Sequence, residues 1–377
     1  MKIQFNQTYN TNKYIVVANK YQHFTRVKDS ENNIQKGAEL PILSSAHFPN
    51  INFGMSPDMK FLLDNSKRLL CAYSRMPMIS PAEEKLIYAK LDRRPNAQSA
   101  VNFLQQYTRY MHDIESKVFD FFSDAEHKNK RDFQDILLEV RDESLERLKE
   151  KQIRILTRTN NLIKKLSPEI AVQVEEIRDK AIEQINDNSF GRRSVLDKIK
   201  QIRATGDDLQ KVIGIYRAWY KLPGSSNDFD AFVVKYAKNP HEAIARRLIS
   251  SSVATIEHIK TQKRGGDDCM SNILLVSSRF NNDRDTMPLD EFIMLNDDID
   301  IKHNLLKYVD DVVNEVNNKR SPFFNFASYP IQVSETIYRE SKHTVNPSLD
   351  NLKATKEQLK DYNSLQKLEQ KYIVIKK

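Results

Sequence analysis

Residues 255–284 read T-I-E-H-I-K-T-Q-K-R-G-G-D-D-C-M-S-N-I-L-L-V-S-S-R-F-N-N-D-R, and no other stretch constrains the fold as much. Two short apolar runs, 253–259 and 272–276, have the length and composition of strands. Between them lies a polar loop carrying Gly265 and Gly266, and the sequence turns helix-compatible at Ser278. Glycine supplies only 8 of 377 residues, against a usual frequency of about 7%. Two adjacent glycines in such a chain mark a required turn. The pattern predicts a β-β-α hairpin with Glu257 and His258 closing the first strand, Asn272 opening the second and Asn281 on the helix.

The rest of the chain sets bounds on class. A length of 377 residues allows two or three domains. Lys and Arg exceed Asp and Glu by 59 to 51, a net charge of +8 that favours polyanionic partners. Cys71 and Cys269 are the two cysteines, too few for a disulfide framework or a four-cysteine zinc site. The N-terminal M-K-I-Q-F-N-Q-T-Y-N lacks the apolar core of a secretory signal. No run approaches the roughly 20 apolar residues needed to span a bilayer. A soluble, cytoplasmic protein without membrane contact is the expectation.

Four regions follow from the patterning. Residues 1–80 read as an α/β segment with a strand at Tyr14, Ile15, Val16 and Val17. Residues 81–250 read as a helical domain, with Val101, Leu104, Met111, Ile114 and Val118 forming one buried stripe of a long helix. A second long helix is expected over 131–166, and Ser167-Pro168-Glu169 has the chemistry of a third helix start. Residues 251–320 hold the motif and close with a helix bearing Leu305, Val309, Val312 and Val316. Residues 321–377 read as a Lys-rich tail with a last strand at Tyr372, Ile373, Val374 and Ile375. Arg147, Lys151, Arg154, Arg158 and Lys165 recur at steps that place all five on one face of the second helix. Such a stripe can track a phosphate backbone, or it can be a solvated face partly neutralised by Glu143 and Glu150 at i,i+4.

Hydrolysing a phosphodiester requires a water made nucleophilic, a counter-charge for the developing phosphorane and stabilisation of the leaving 3′ oxygen. A histidine and one divalent metal supply all three. On Glu257, His258, Gly265, Gly266, Asn272 and Asn281 the chain resembles the HNH endonuclease family, whose signature is an acidic residue and His at the end of one strand, often a Gly-Gly turn, a central Asn, and a His or Asn on the helix. The resemblance implies an α+β, predominantly helical protein with a ββα-metal module. It makes His258 the general base, and Glu257 and Asn281 oxygen ligands of one Mg²⁺ or Mn²⁺. It makes Asn272 the residue that hydrogen-bonds across the loop and aims His258. Arg284 becomes a candidate phosphate clamp.

Many HNH modules carry two Cys-x-x-Cys knuckles for a structural zinc. The corresponding places here read Cys71-Ala-Tyr-Ser74 and Ser277-Ser-Arg-Phe280, so no structural zinc is expected, and packing by Tyr73, Met76, Met78 and Phe280 must replace it. If Cys71 marks the first knuckle, the helical domain is an insertion between two halves of one nuclease module. Asp267, Asp268 and Asp283 read as exposed loop carboxylates, with additional metal ligands as the alternative, and Cys269 as a small buried apolar residue. The other histidines show no metal-ligand spacing. From 251 to 320 there are nine Lys or Arg against thirteen Asp or Glu, so firm DNA binding has to come from the helices and tail. By fold-level analogy the helical insertion suggests a defence nuclease paired with a partner such as an ATPase, as in Septu or retron systems. A noncatalytic nucleic-acid-binding or assembly subunit and an RNA (tRNA) nuclease stay open as alternatives.

Overall fold

The structure is a computed structural model that describes residues 55–355 apart from 95, 125–126 and 128–130, together with residue 359. The strands expected near residues 14 and 372 lie outside the described residues. The described part is predominantly helical, with one two-stranded sheet. Strands β1 (Ala254–His258) and β2 (Ile273–Ser277) pair antiparallel, with Glu257 opposite Leu274 and His258 opposite Ile273.

All five residues of β2 are buried, so this strand runs through a core and not along a surface. A two-stranded sheet leaves backbone groups unpaired on its outer edges, and buried ones must find partners. Tyr308 accepts the Leu275 N–H at 3.2 Å, and Tyr329 donates to the Ile273 carbonyl at 3.2 Å. The two hydroxyls lie 2.8 Å apart. The Ala72 N–H reaches the Leu275 carbonyl at 3.0 Å. Residues 253 and 79 form an isolated parallel bridge beside β1.

Helices on both sides of the hairpin in sequence complete this core. One precedes it, α1 (Pro57–Asp64), and four follow it: α11 (Ser278–Arg284), α12 (Leu289–Leu295), α13 (Ile301–Asn317) and α14 (Tyr329–Glu340). Ser56 caps α1 by accepting from Met59 N–H, and Pro57 opens its first turn. Met59, Leu62, Leu69, Cys71, Tyr73 and Met78 share one apolar cluster with the strands and with residues as distant as Val345. The segment before the helical region and the segment after it therefore build one body. One boundary expected from the sequence changes: residue 320 is not an edge, because Tyr329, Val333 and Ile337 of α14 belong to the same core.

The helices between them form two further clusters. One joins α2 (Pro81–Leu91), α3 (Ala97–Leu104), α4 (Asp113–Ser123) and the start of α5 (Phe133–Arg158) to α9 (Phe229–Tyr236) and α10 (His241–Ser250). The other joins the end of α5 to α6 (Pro168–Asn186), α7 (Arg192–Gln201) and α8 (Gly206–Tyr220) around Trp219, whose indole N–H donates to Thr159 at 3.0 Å. The single long helix expected over Val101 to Val118 is two helices. A 3₁₀ stretch (Gln105–Tyr110) tightens the chain, and Met111 and His112 are extended, yet the apolar stripe stays buried on both pieces. The second helix stops at Arg158 and not near 166, because Thr159 turns its hydroxyl back to the Leu156 carbonyl at 2.7 Å and a separate short turn (Asn160–Ile163) follows.

Candidate active site

His258 ends β1, and the loop that returns the chain to β2 folds under it. Gly265 adopts φ +81°, a left-handed conformation that favours glycine. Gly266 is required for a different reason: a Cβ there would lie 1.8 Å from the Lys260 carbonyl oxygen and 2.7 Å from the Asn272 amide nitrogen. The space is taken by the Lys260 carbonyl and, behind it, the side chain of Asn272. Its Oδ1 accepts from Lys260 N–H at 2.8 Å, and its Nδ2 donates to the carbonyls of Lys260 at 3.0 Å and Asp267 at 2.9 Å. A buried amide that saturates three backbone groups on both sides of a loop locks that loop.

The same loop delivers Asp268 to His258. Nε2 of His258 lies 2.7 Å from Asp268 Oδ1, which also accepts from Gln262 Nε2 at 2.7 Å. Those two hydrogen bonds, that of His258 first, hold the Asp268 carboxyl below its usual range. Being ionised it can only accept, so Nε2 carries the proton. Among the described residues His258 Nδ1 makes no hydrogen bond. The imidazole is about one-fifth exposed, with a side-chain accessibility of 18%.

Glu257 alternates to the opposite face of β1 and is 2% exposed. Its carboxylate is engaged by Arg284, itself 1% exposed. The guanidinium also donates to Tyr73 Oη at 3.1 Å and to the carbonyls of His258 and Ile259, each at 2.6 Å. Burial pushes the Glu257 carboxyl up to about 7, against the opposing pull of Arg284. Two expectations are corrected by this arrangement. Arg284 is an internal brace pinning α11 to the end of β1, buried away from any surface a phosphate could reach. Glu257, paired with Arg284, does not fit the cation implied by the resemblance, since a metal on it would sit against a guanidinium. Asn281 is half-buried and donates to the Ile256 carbonyl at 3.3 Å.

The other carboxylates of the window divide three ways. Asp267 is exposed, as read from the sequence. Asp268 is committed to His258. Asp283 is folded inward, accepting from Ser226 Oγ at 3.2 Å beside Arg279, and burial raises its carboxyl. Cys269 is half-buried and polar in its contacts, with Sγ 2.8 Å from Asp267 Oδ1. Asp268, read from the sequence as an exposed loop carboxylate, is bonded to His258; its place two residues after Gly266 is the one signal for that contact, since a tight turn brings that position back to the strand end.

The knuckle positions do converge. Cys71 Sγ accepts from Ser277 N–H at 3.3 Å, and Tyr73 and Phe280 meet edge to face with ring centres 6.4 Å apart. Tyr73, Met78 and Phe280 are buried and Met76 is half-buried.

The basic stripe splits. Arg147 pairs with Asp230 at 2.9 Å and with Glu143, and Lys151 pairs with Asp228 and Asp230 at 2.8 and 2.7 Å. Both therefore bind α5 to α9. Arg154 and Arg158 are exposed, and Lys165 is exposed but lies beyond the end of α5. No protein-family model matches the chain, and neither the curated proteins nor the solved structures contain a match.

Proposed function

We propose that this protein is an HNH-type endonuclease that hydrolyses DNA phosphodiester bonds, with His258 as general base. The observation that carries the reading is a half-buried imidazole at the open end of β1, set over a turn that Asn272 locks. Its Nδ1 is left to accept a proton while Nε2–H is held by a carboxylate. A base poised in this way takes a proton from water as the water oxygen bonds to phosphorus. The P–O3′ bond breaks, leaving a 5′-phosphate and a 3′ oxygen that is protonated from solvent.

The requirement for Mg²⁺ or Mn²⁺ enters this proposal from the resemblance alone, and the assay reads it directly. Substrate attraction falls to surfaces away from the acidic motif region, with Arg154 and Arg158 as exposed cations on α5. A role in phage defence or on a mobile element, with a partner ATPase or other regulator, extends the same proposal through analogy.

The test is plasmid cleavage by wild type and His258→Ala with Mg²⁺, Mn²⁺ or EDTA, at low salt so that binding is not limiting. Nicking or linearisation that disappears in His258→Ala is the expected result. A wild type that leaves both plasmid and single-stranded RNA intact under every metal condition overturns the reading.

A further inference from the structure

We infer that Asp268 is the positioning residue of His258, fixing which ring nitrogen carries the proton and where the free one points. Three observations build this. Among the described residues the His258 Nε2–Asp268 Oδ1 hydrogen bond of 2.7 Å is the one hydrogen bond of the ring. Asp268 is steered in turn by Gln262 at 2.7 Å, from the other end of the glycine turn. Its backbone is also anchored from outside the loop: Ser56 Oγ donates to the Asp268 carbonyl at 3.0 Å, and the Met270 N–H donates to Asp58 Oδ2 at 3.2 Å. The start of α1 and the amide of Asn272 thus grip the loop from opposite sides, and the carboxylate between them has a set position.

A carboxylate that accepts from one imidazole nitrogen stabilises the imidazolium formed when the other takes a proton, and holds the productive tautomer meanwhile. His258 Nε2 and Gln262 Nε2 meet the same oxygen, Asp268 Oδ1. With Asn in place of Asp268, the amide oxygen that keeps Gln262 also keeps Nε2–H, but as a neutral, weaker acceptor that no longer stabilises the imidazolium.

The inference takes its chemical meaning from the nuclease reading, but the hydrogen bond can be read without it. Full-length protein labelled with ¹⁵N-histidine is compared as wild type, Asp268→Ala, Asp268→Asn and Asp267→Ala, with His258→Gln to assign the resonance and circular dichroism to confirm folding. The wild type shows a solvent-protected Nε2–H for His258. That signal disappears in Asp268→Ala and moves upfield in Asp268→Asn, whose neutral oxygen accepts more weakly, and Asp267→Ala leaves it alone. Cleavage falls by about 10- to 100-fold in both Asp268 variants, as when an orienting partner is removed from a histidine, and stays near the wild-type level in Asp267→Ala.

A protected Nε2–H that persists in Asp268→Ala, with cleavage unchanged, overturns the inference and leaves the nuclease reading standing. A signal that vanishes in Asp268→Ala, in a protein whose wild type cuts nothing, keeps the positioning and removes the nuclease. Because Asp268→Asn is nearly isosteric, a folding failure of the alanine variant leaves the upfield move of the Nε2–H signal in hand, and a signal that does not move in Asp268→Asn overturns the inference.

Discussion

At Gly266 a methyl group has nowhere to go, since its nearest neighbour would be a backbone oxygen at 1.8 Å and not a side chain that can swing aside. Gly265 is constrained only by its positive φ and has open space apart from the end of Lys260. The two glycines should separate in a urea titration. Gly265→Ala is expected to cost about 1–2 kcal/mol, the penalty of a left-handed L-residue. Gly266→Ala is expected to cost more than this and to release Asn272 from Lys260. The Gly-Gly turn and the cross-loop Asn272 were legible because each depends on a residue type that few others replace. The roles of Arg284 and Asp268 were not. Arg284 has the same spacing whether it points to solvent or inward, and only the packing of α11 on β1 decides. Asp268 needed the path of the loop, which is set by partners such as Ser56 and Asp58, far away in the sequence.

Among the elements, α11 is held to β1 by one buried ion pair, and α5 to α9 by a partly exposed cluster. Removing one member of a buried pair leaves the other charge uncompensated, at a cost of about 3–5 kcal/mol. Arg284→Met should therefore lower the urea midpoint sharply, and adding Glu257→Gln should recover much of the loss. Independent, additive effects of the two changes would show that they are not a working pair. The basic face of α5 gives a second contrast. Arg154→Ala combined with Arg158→Ala should weaken DNA binding and make the slope of log affinity against log salt shallower by about 0.9 for each phosphate no longer neutralised. Arg147→Ala should leave that slope alone and lower stability through Asp230. Fluorescence anisotropy across a salt series distinguishes the two. The sequence placed these five cations on one face correctly as far as Arg158, but periodicity does not say which part of a face a neighbouring helix covers.

On the scale of the whole molecule, His112 sits where the helical cluster of α2 to α4 meets the hairpin core. Its neighbours Met111 and Ile114 belong to the first and Phe280 to the second. The His112 ring is buried against Phe280, at 5.5 Å between centres. Burial, with Arg279 and Arg247 nearby, pushes its pKa down to about 3. A folded-state pKa below the unfolded value of about 6.5 means that the unfolded chain binds the proton first. His112 thus contributes stability in full above about pH 6.5, and that contribution falls away progressively as the pH drops from there towards the folded-state value. His112→Phe should flatten the dependence of unfolding free energy on pH in that window, and an unchanged pH profile would assign the acid sensitivity to other groups. That the helices leave the hairpin core and return to it could be read from the sequence only on the condition that Cys71 marks a knuckle; the core shared by Met59, Leu62 and Tyr73 with the strands shows it directly. The extent of the second half was not legible, because α14 follows a turn-rich stretch with nothing in its composition to link it to β2. Hydrogen exchange offers a check on the unity of that core: the Ala72 and Leu275 amides should open with the same free energy.

The bridge between residues 79 and 253 has one more consequence. The chain leaves the core at Ile79 and comes back beside it at Val253, with Ile79 N–H on the Ser252 carbonyl at 3.0 Å and Ala254 N–H on the Ile79 carbonyl at 2.8 Å. To the hairpin, everything in between is a closed excursion whose two ends are already tied. The entropy of closing such an excursion grows only with the logarithm of its length, about 0.6 kcal/mol for each doubling. Helices can be gained or lost there at small cost to the closure itself, so the region between Ile79 and Val253 is where a chain of this architecture is freest to change what it recognises.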